Sequence, residues 1–397
     1  MWADRHVVVG VTGGIACYKA CHLVRRLVEA GARVDVVLTR GAAEFVQPLT
    51  FEALSGRPVL ASLWEPEGAL AHVRLGQTAD LIVVAPATAH FLGRLAAGMA
   101  DDFLTALCLA RTKPLLVAPA MNDAMFAADA TQENLRRLTD RGVAVVGPER
   151  GALAEGPSDR PGRMSEPETI LHHAARALSG RSSLAGRRVV VTAGPAREAL
   201  DPVRVIANRS SGKMGFRIAQ AAWYRGASVR LISGPSGESD PVGVEVERIE
   251  TTAQLGQAVQ QALPTADVLF MAAAPADYRP TVPLDRKRPR QAGPLSVELE
   301  PTEDLWAAMR PIRKPGALMV GFALETGQAV EKAAAKLAKK GLDLIVANDA
   351  LEPGAGFEVD TNRVTIIDAS GGKQVVPFGT KSEVAEALVN AVEVRLG

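Results

Sequence analysis

Short apolar runs rich in β-branched residues alternate with longer helical patterns along this chain, and that alternation constrains the fold more than any other feature. Strand-like runs are predicted at His6–Val11, Arg33–Leu38, Leu81–Ala85, Pro114–Ala118 and Val143–Val146, separated by helical patterns at Tyr18–Glu29, Phe91–Ala110 and Gln132–Asp140. A strand that is apolar throughout buries both of its faces, and strands of this kind separated by helices form parallel sheets covered on both sides. The pattern then restarts. Further strands are predicted at Arg188–Ala193, Ser228–Ile232, Val268–Ala272, Leu318–Phe322, Leu344–Ala347 and Val364–Ile367, with helices at Lys213–Tyr224, Thr252–Ala262, Glu331–Lys340 and Lys381–Val394. The halves echo one another: Val7-Val8-Val9-Gly10-Val11-Thr12-Gly13-Gly14 resembles Val189-Val190-Val191-Thr192-Ala193-Gly194-Pro195, and Gly-Ala follows each first helix. Residues 174–187 turn Gly-, Ser- and Arg-rich and read as a linker, so two α/β domains with Rossmann-like parallel sheets are expected, over 1–185 and 186–397.

Composition narrows the partners. The formal net charge is +1 and aromatic residues make up 4% of the chain, so neither a global pull toward nucleic acid or anionic membranes nor a base-stacking platform is expected. The 397 residues suit two domains, and the 47% hydrophobic content supplies a core for each. Three cysteines, Cys17, Cys21 and Cys108, are too few and too odd for a disulfide framework and fit a reducing compartment. The first residues are too charged for a signal peptide, and no run reaches the roughly 18–20 apolar residues of a membrane span. The expectation is a cytoplasmic protein.

In the first half, Gly13-Gly14-Ile15-Ala16 closes a strand and opens a helix. Glycines there let backbone approach a ligand, and the free N–H groups of a helix start favour a phosphate. The same fragment also fits a tight turn with no ligand, and it is not a Gly-x-Gly-x-x-Gly dinucleotide fingerprint. Further along come Thr39, Pro48-Leu49-Thr50-Phe51, His72-Val73-Arg74-Leu75, Ala85-Pro86-Ala87-Thr88-Ala89, Ala97 to Asp102, and Pro119-Ala120-Met121-Asn122-Asp123-Ala124-Met125. In this order they resemble the flavin-dependent cysteine decarboxylases, in particular those acting on phosphopantothenoylcysteine. The resemblance implies a flavodoxin-like domain binding FMN, with Gly13, Gly14, Ile15, Ala16, Thr39, Pro86 and Thr88 around the cofactor. A cysteine carboxylate has no electron sink for the carbanion left by CO₂ loss, and oxidation of the neighbouring thiol by a flavin creates one. The resemblance assigns proton transfer to His72, a residue type suited to it, and holding of the substrate carboxylate to Asn122. The family's flexible clamp carries a proton-donating cysteine. Here Glu155 stands in that position, in Leu153-Ala154-Glu155-Gly156, within a loop about one residue longer than the family's. Either Glu155 supplies that proton or it is a solvated carboxylate and another donor acts.

In the second half, Gly194-Pro195-Ala196-Arg197-Glu198 and Asp201 to Gly215 stand out. Ser210-Ser211-Gly212-Lys213 offers hydroxyls, N–H groups and a cation to an anion at a helix start, without Walker A spacing. With Ala272-Ala273-Ala274-Pro275-Ala276-Asp277, Val320 to Thr326, Lys336, Lys340 and Ala347-Asn348-Asp349, these segments resemble the phosphopantothenate–cysteine ligases. The resemblance implies activation of a carboxylate by CTP as an acyl-cytidylate, which cysteine's amine then attacks. It assigns Asn208 to the acyl-cytidylate and Lys287, ten residues after Asp277, to charge neutralisation. The basic run around Lys287 (Arg286 to Arg290) differs from the family's lysine-rich loop. CTP contacts are assigned to Ala272, Ala273, Asp277, Lys287, Thr302, Asp304, Leu305, Phe322, Lys336 and Lys340. Mg²⁺ is expected with the triphosphate, and no dedicated carboxylate cage for it is evident.

The fused order, decarboxylase then ligase, resembles the bifunctional enzymes of coenzyme A biosynthesis, whose ligase product is the decarboxylase substrate. The implied partners are small molecules, and the implied assembly is a homo-oligomer of trimers, extending to a dodecamer. Two alternatives stay open. An NAD(P)-dependent oxidoreductase lacks support from the missing fingerprint and the missing acidic residue after the second strand. A flavin-binding protein with only the ligase half active is opposed by His72 and Asn122 and favoured by Glu155.

Overall fold

The computed structural model describes residues 1–64, 70–180, 182–287, 289–290, 296–356 and 359–397. It divides into two compact units, the first ending at Gly180. Leu184, just beyond, is fully buried in the core of the second.

The first unit holds a parallel sheet of β1 (His6–Val11), β2 (Arg33–Leu38), β3 (Leu81–Ala87), β4 (Leu115–Pro119) and β5 (Ala144–Val145), in the order β2-β1-β3-β4-β5. That is the flavodoxin-like doubly wound order, whose crevice opens at the C-terminal ends of β1 and β3. Both faces are covered, as the apolar runs require. Val7, Val9 and Val11 pack with Leu23, Val24 and Leu27 of helix Cys17–Glu29 on one side. Val8, Ile82 and Val84 pack with Phe91, Phe103 and Leu104 on the other. Each such fully buried side chain contributes roughly 1.5–3 kcal/mol. The helical pattern expected over 91–110 is two helices, Ala89–Ala97 and Phe103–Ala110. Gly98 ends the first at φ 74°, and Asp102 starts the second by a reciprocal capping box with Thr105.

The second unit is built on eight strands: β6 (Arg188–Ala193), β7 (Ser228–Ser233), β8 (Glu245–Arg248), β9 (Val268–Met271), β10 (Leu318–Glu325), β11 (Leu344–Asp349), β12 (Thr361–Asp368) and β13 (Lys373–Thr380). Their order is β8-β7-β6-β9-β10-β11-β12-β13. β6 to β11 run parallel, and β12 and β13 extend the sheet as an antiparallel hairpin. Helices Lys213–Tyr224 and Lys381–Leu396 cover one face through Phe216, Ile218, Trp223, Val384 and Leu388. Helices Thr252–Ala262 and Ala329–Lys340 cover the other through Leu255, Val259 and Leu337.

Candidate functional sites

At the C-terminal ends of β1, β3 and β4 lies a cavity of roughly 760 Å³, within the ~300–1,000 Å³ usual for cofactor pockets. Thr12, Gly13, Gly14, Ile15 and Ala16 form its floor at the start of helix Cys17–Glu29. No side chain caps that helix; the Cys17 and Lys19 N–H groups donate to the Gly14 and Ala16 carbonyls (3.0 Å each), and the turn before them faces the cavity. Gly13 runs so close to the next strand's loop that a Cβ on it would lie 2.6 Å from the Gly41 carbonyl carbon. Thr39 and Thr88 line the cavity while capping helices Arg40–Ala43 and Ala89–Ala97. The Thr12 hydroxyl joins the strand ends: it donates to the Pro86 carbonyl (2.8 Å) and accepts from the Thr88 N–H (3.0 Å). Pro86 itself is buried in β3 and does not line the cavity, which the chain leaving β3 first reaches at Thr88.

Asn122 and Glu155 come together on the opposite wall. Asn122 caps helix Asp123–Ala127 through Oδ1, which accepts from Ala124 N–H (2.8 Å), leaving its amide to donate to Glu155 Oε1 (3.4 Å). Glu155 is exposed at the tip of a tight turn closed by reciprocal backbone bonds between Leu153 and Gly156. Gly156 has φ 129°, which only glycine adopts freely. The loop is pinned at its base. Met121 N–H donates to the Gly162 carbonyl (3.0 Å), and Ser158 donates to Asp123 (2.7 Å). Buried Lys19 donates to the Met164 carbonyl (3.1 Å) and to Glu166 (2.9 Å). Lys19 escaped the sequence reading, although a lysine in the apolar stripe Cys17, Ala20, Leu23, Val24 was its signal. Arg40, Arg94 and Arg163 also line the cavity and were not assigned from sequence as site residues.

His72 does not join this group. It sits on helix Ala71–Thr78, its ring edge-on to Phe103 at 6.2 Å, and it is not among the residues lining the cavity. Its Nδ1 is buried and has no hydrogen-bond partner among the described residues. The three thiols lie outside the lining too, and burial raises the pKa of each, pushing Cys108 up to about 12. Within one chain no thiol stands beside Asn122 and Glu155 on the cavity wall.

In the second unit the assigned residues gather around the ends of β6, β9 and β10. Asn208 follows a hairpin of Arg197–Ala199 with Val205–Ala207, and its amide donates to the Pro275 carbonyl (2.9 Å). Ala272 and Ala273 are half-buried, and Ala273 N–H donates to the Thr192 hydroxyl (3.0 Å). Thr302 donates to the Asp277 carbonyl through N–H (2.9 Å) and to the Ala276 carbonyl through Oγ1 (2.7 Å). Asp304 caps helix Leu305–Met309. Burial holds the Lys340 ammonium below its ordinary pKa; Lys336 and Lys339 lower it further, while Asp304 and Asp277 oppose. Asp277, Asp304, Lys336 and Lys340 thus share one electrostatic neighbourhood. Phe322 is half-buried in β10 and packs on the other face of the sheet, against the core under helices Lys213–Tyr224 and Lys381–Leu396, so it does not join that group; Lys336 is paired with Glu325 (2.5 Å). Leu305 is buried in the core beneath. Lys287 is exposed on the segment between strands Tyr278–Pro280 and Leu299–Pro301. Its neighbours 288 and 291–295, including Arg288 of the basic run, lie outside the described residues. Among the described residues there is no cluster of three or more potential metal ligands.

Two family models match consecutive parts of the chain. One, described as Flavoprotein, covers residues 1–179; the other, described as DNA/pantothenate metabolism flavoprotein C-terminal domain, covers residues 184–395. The coenzyme A biosynthesis bifunctional protein CoaBC of Mycobacterium tuberculosis (strain ATCC 25618 / H37Rv) is 45% identical, across 98% of this chain and 96% of that protein. The protein of the same name from Escherichia coli (strain K12) is 41% identical, across 99% and 98%. A crystal structure of the C-terminal domain of a CoaBC protein aligns at 36% identity with a TM-score of 0.46, covering 54% of this chain and 98% of that one.

Proposed function

The chain belongs to the family of coenzyme A biosynthesis bifunctional proteins, and from that membership we propose how its two units divide the chemistry. The enzyme condenses 4′-phosphopantothenate with cysteine at the expense of CTP and decarboxylates the product to 4′-phosphopantetheine. We assign decarboxylation to residues 1–185 and ligation to 186–397.

In the first unit the uncapped helix start at Gly13 to Ala16 would hold the FMN phosphate, with Thr39 and Thr88 beside it. Bound FMN supplies the two-electron acceptor that makes the substrate thiol an electron sink and later returns the electrons. The chain's own residues do the rest. The Asn122 amide binds the substrate carboxylate without adding a charge that would oppose its departure as CO₂. The 153–156 turn closes over the thiol end of the substrate, and Glu155 gives a proton to the enethiolate carbon left after decarboxylation. The observation that carries this reading is the meeting of Asn122 and Glu155 on a wall of the cavity. His72 completes the site from a neighbouring copy, which makes a trimer the functional unit of this half.

In the second unit the Ser210-Ser211-Gly212 turn and Lys213 seat a substrate phosphate, Asn208 orients the acyl-cytidylate, and Lys287 neutralises charge during attack. Asp277, Lys336 and Lys340 contact CTP, with Thr302 and Asp304 framing the same pocket. Mg²⁺ would be held mainly by the triphosphate, with Asp277 or Asp304 within the same pocket to serve as a single protein ligand. Three unpaired cysteines support a cytoplasmic setting, and no described helix is long and apolar enough to cross a membrane.

Mass spectrometry of reactions containing phosphopantothenate, cysteine, CTP and Mg²⁺ tests the scheme. Wild-type protein is expected to yield phosphopantetheine, CMP, pyrophosphate and CO₂. Glu155→Gln is expected to release CO₂ yet accumulate the unreduced enethiol. Unchanged phosphopantetheine formation by that variant would remove Glu155 from the chemistry.

A further inference from the structure

Among the described residues, four lysine and arginine side chains line the cavity of the first unit: Lys19, Arg40, Arg94 and Arg163. Three of them are committed to carboxylates. Lys19 (2.9 Å) and Arg163 share Glu166, and Arg94 holds Asp101 and Asp102 (2.8 Å). Arg40 is different: it is exposed, and among the described residues its guanidinium has neither an ion pair nor a hydrogen bond. Its place is nevertheless fixed, because both of its neighbours are fastened to the end of β1. Thr39 donates to the Val11 carbonyl through N–H (3.1 Å) and through Oγ1 (3.2 Å). Gly41 lies against the Gly13 backbone, where a Cβ of its own would stand 3.5 Å from the Gly13 Cα. Arg40 therefore starts one residue, about 3.8 Å of chain, from the contact with the Gly13 turn, and it lines the same cavity.

We propose that Arg40 is the cationic partner of a phosphate monoester seated at the turn Gly13 to Ala16. The inference rests on the first unit being the decarboxylase, with a phosphate seat at that turn. What else surrounds the turn is neutral. Thr12 and Thr39 donate their hydroxyl protons to the Pro86 and Val11 carbonyls, and the Thr88 hydroxyl accepts from the Phe91 N–H (3.3 Å). A phosphate monoester carries nearly two charges at neutral pH, and a helix start answers about half of one. Leaving water for a wall of neutral groups is costly for such an anion. A guanidinium supplies a full charge and a fork of N–H groups matched to two phosphate oxygens. Lys19, Arg94 and Arg163 would have to give up a carboxylate to do the same, whereas Arg40 gives up only water. The phosphate of FMN and that of the decarboxylase substrate share this chemistry, and the two arms of the test tell them apart.

The first arm titrates FMN, and riboflavin, which lacks the phosphate, onto full-length protein freed of flavin, following the quenching of flavin fluorescence at low and high salt. Wild type is expected to hold FMN more tightly than riboflavin and to lose part of that preference in high salt, since Arg40 is exposed to screening. Arg40→Met is expected to weaken FMN binding about tenfold. Its riboflavin affinity is expected to stay that of wild type, which also reports an intact pocket, and Arg40→Lys is expected to keep most of the FMN affinity. The second arm, on flavin-saturated protein, compares KM for phosphopantothenoylcysteine with KM for its dephosphorylated counterpart. A rise in Arg40→Met confined to the phosphorylated substrate, with FMN affinity unmoved, supports the proposal with the substrate phosphate as the partner. If wild type prefers FMN but Arg40→Met changes neither its FMN affinity nor that KM, the role of Arg40 is overturned and the phosphate seat stands. If wild type holds both flavins equally and Arg40→Met leaves KM unmoved, the seat itself is wrong and the role of Arg40 falls with it.

Discussion

Asp35 sits in the interior of the first unit between two basic side chains: His6 Nε2–H donates to Oδ2 (2.6 Å) and Arg57 Nε–H to Oδ1 (2.5 Å). Burial alone would raise the pKa of this carboxyl, but the hydrogen bonds from His6 and Arg57 outweigh it and hold the group below its ordinary value. A carboxyl whose folded-state pKa is depressed contributes stability that is complete above its unfolded value. That stability is lost as pH falls through the folded one. The first unit is therefore expected to weaken on acidification below about pH 4. Asp35→Asn is expected to cost about 3 kcal/mol at neutral pH, because it strands a buried partner, and to flatten the acid limb. Urea unfolding across that pH range checks both. None of this was read from the sequence: His6 and Asp35 were taken only as members of strand runs, and nothing in a linear pattern says that Arg57 returns to meet them.

At the scale of elements, legibility followed the physics of burial. β1, β2, β6 and helices Lys213–Tyr224 and Thr252–Ala262 have the bounds that the patterns predict, because strands buried on both faces and amphipathic helices write their periodicity plainly. Short elements did not. Helices Pro48–Ser55 and Ala71–Thr78 carry few buried residues, and β13 interrupts its run with Pro377, so neither composition nor period marked them. The glycine signals were legible in kind. Gly13 was read as letting the backbone approach a ligand, and the structure shows a second demand on it, the Gly41 backbone, which a Cβ would meet at 2.6–2.9 Å. Backbone does not yield as a side-chain tip does. Gly13→Ala is accordingly expected to displace the helix start from the phosphate seat, giving colourless protein that fails to take up added FMN, as absorbance after gel filtration would show. Retention of a full complement of flavin would mean that the cofactor does not approach this turn.

At the scale of the molecule, the hydrophobic clusters separate cleanly: two are drawn wholly from the first unit and two wholly from the second. His72 stands outside the cavity that Asn122 and Glu155 line, and it is this separation that the proposed sharing of the decarboxylase site between copies accounts for. The sequence reading placed the three residues in one site and could not show their separation, because a motif records order along a chain and not distance in space. Exposed Ile15, Tyr18, Leu49 and Met125 leave apolar surface on this unit, Ile15, Tyr18 and Met125 at the rim of the cavity, where a neighbouring copy would dry it. A head-to-tail ring places the same two different surfaces together at every interface, so each site takes His72 from one chain and Asn122 from the next. His72→Asn and Asn122→Asp are each expected to be inactive in decarboxylation of supplied phosphopantothenoylcysteine. Co-expressed in equal amounts, they are expected to recover about a quarter of wild-type activity, the chance that an intact donor meets an intact acceptor. If both residues act within one chain, no mixed interface holds a whole site and the co-expressed pair stays as inactive as its parents.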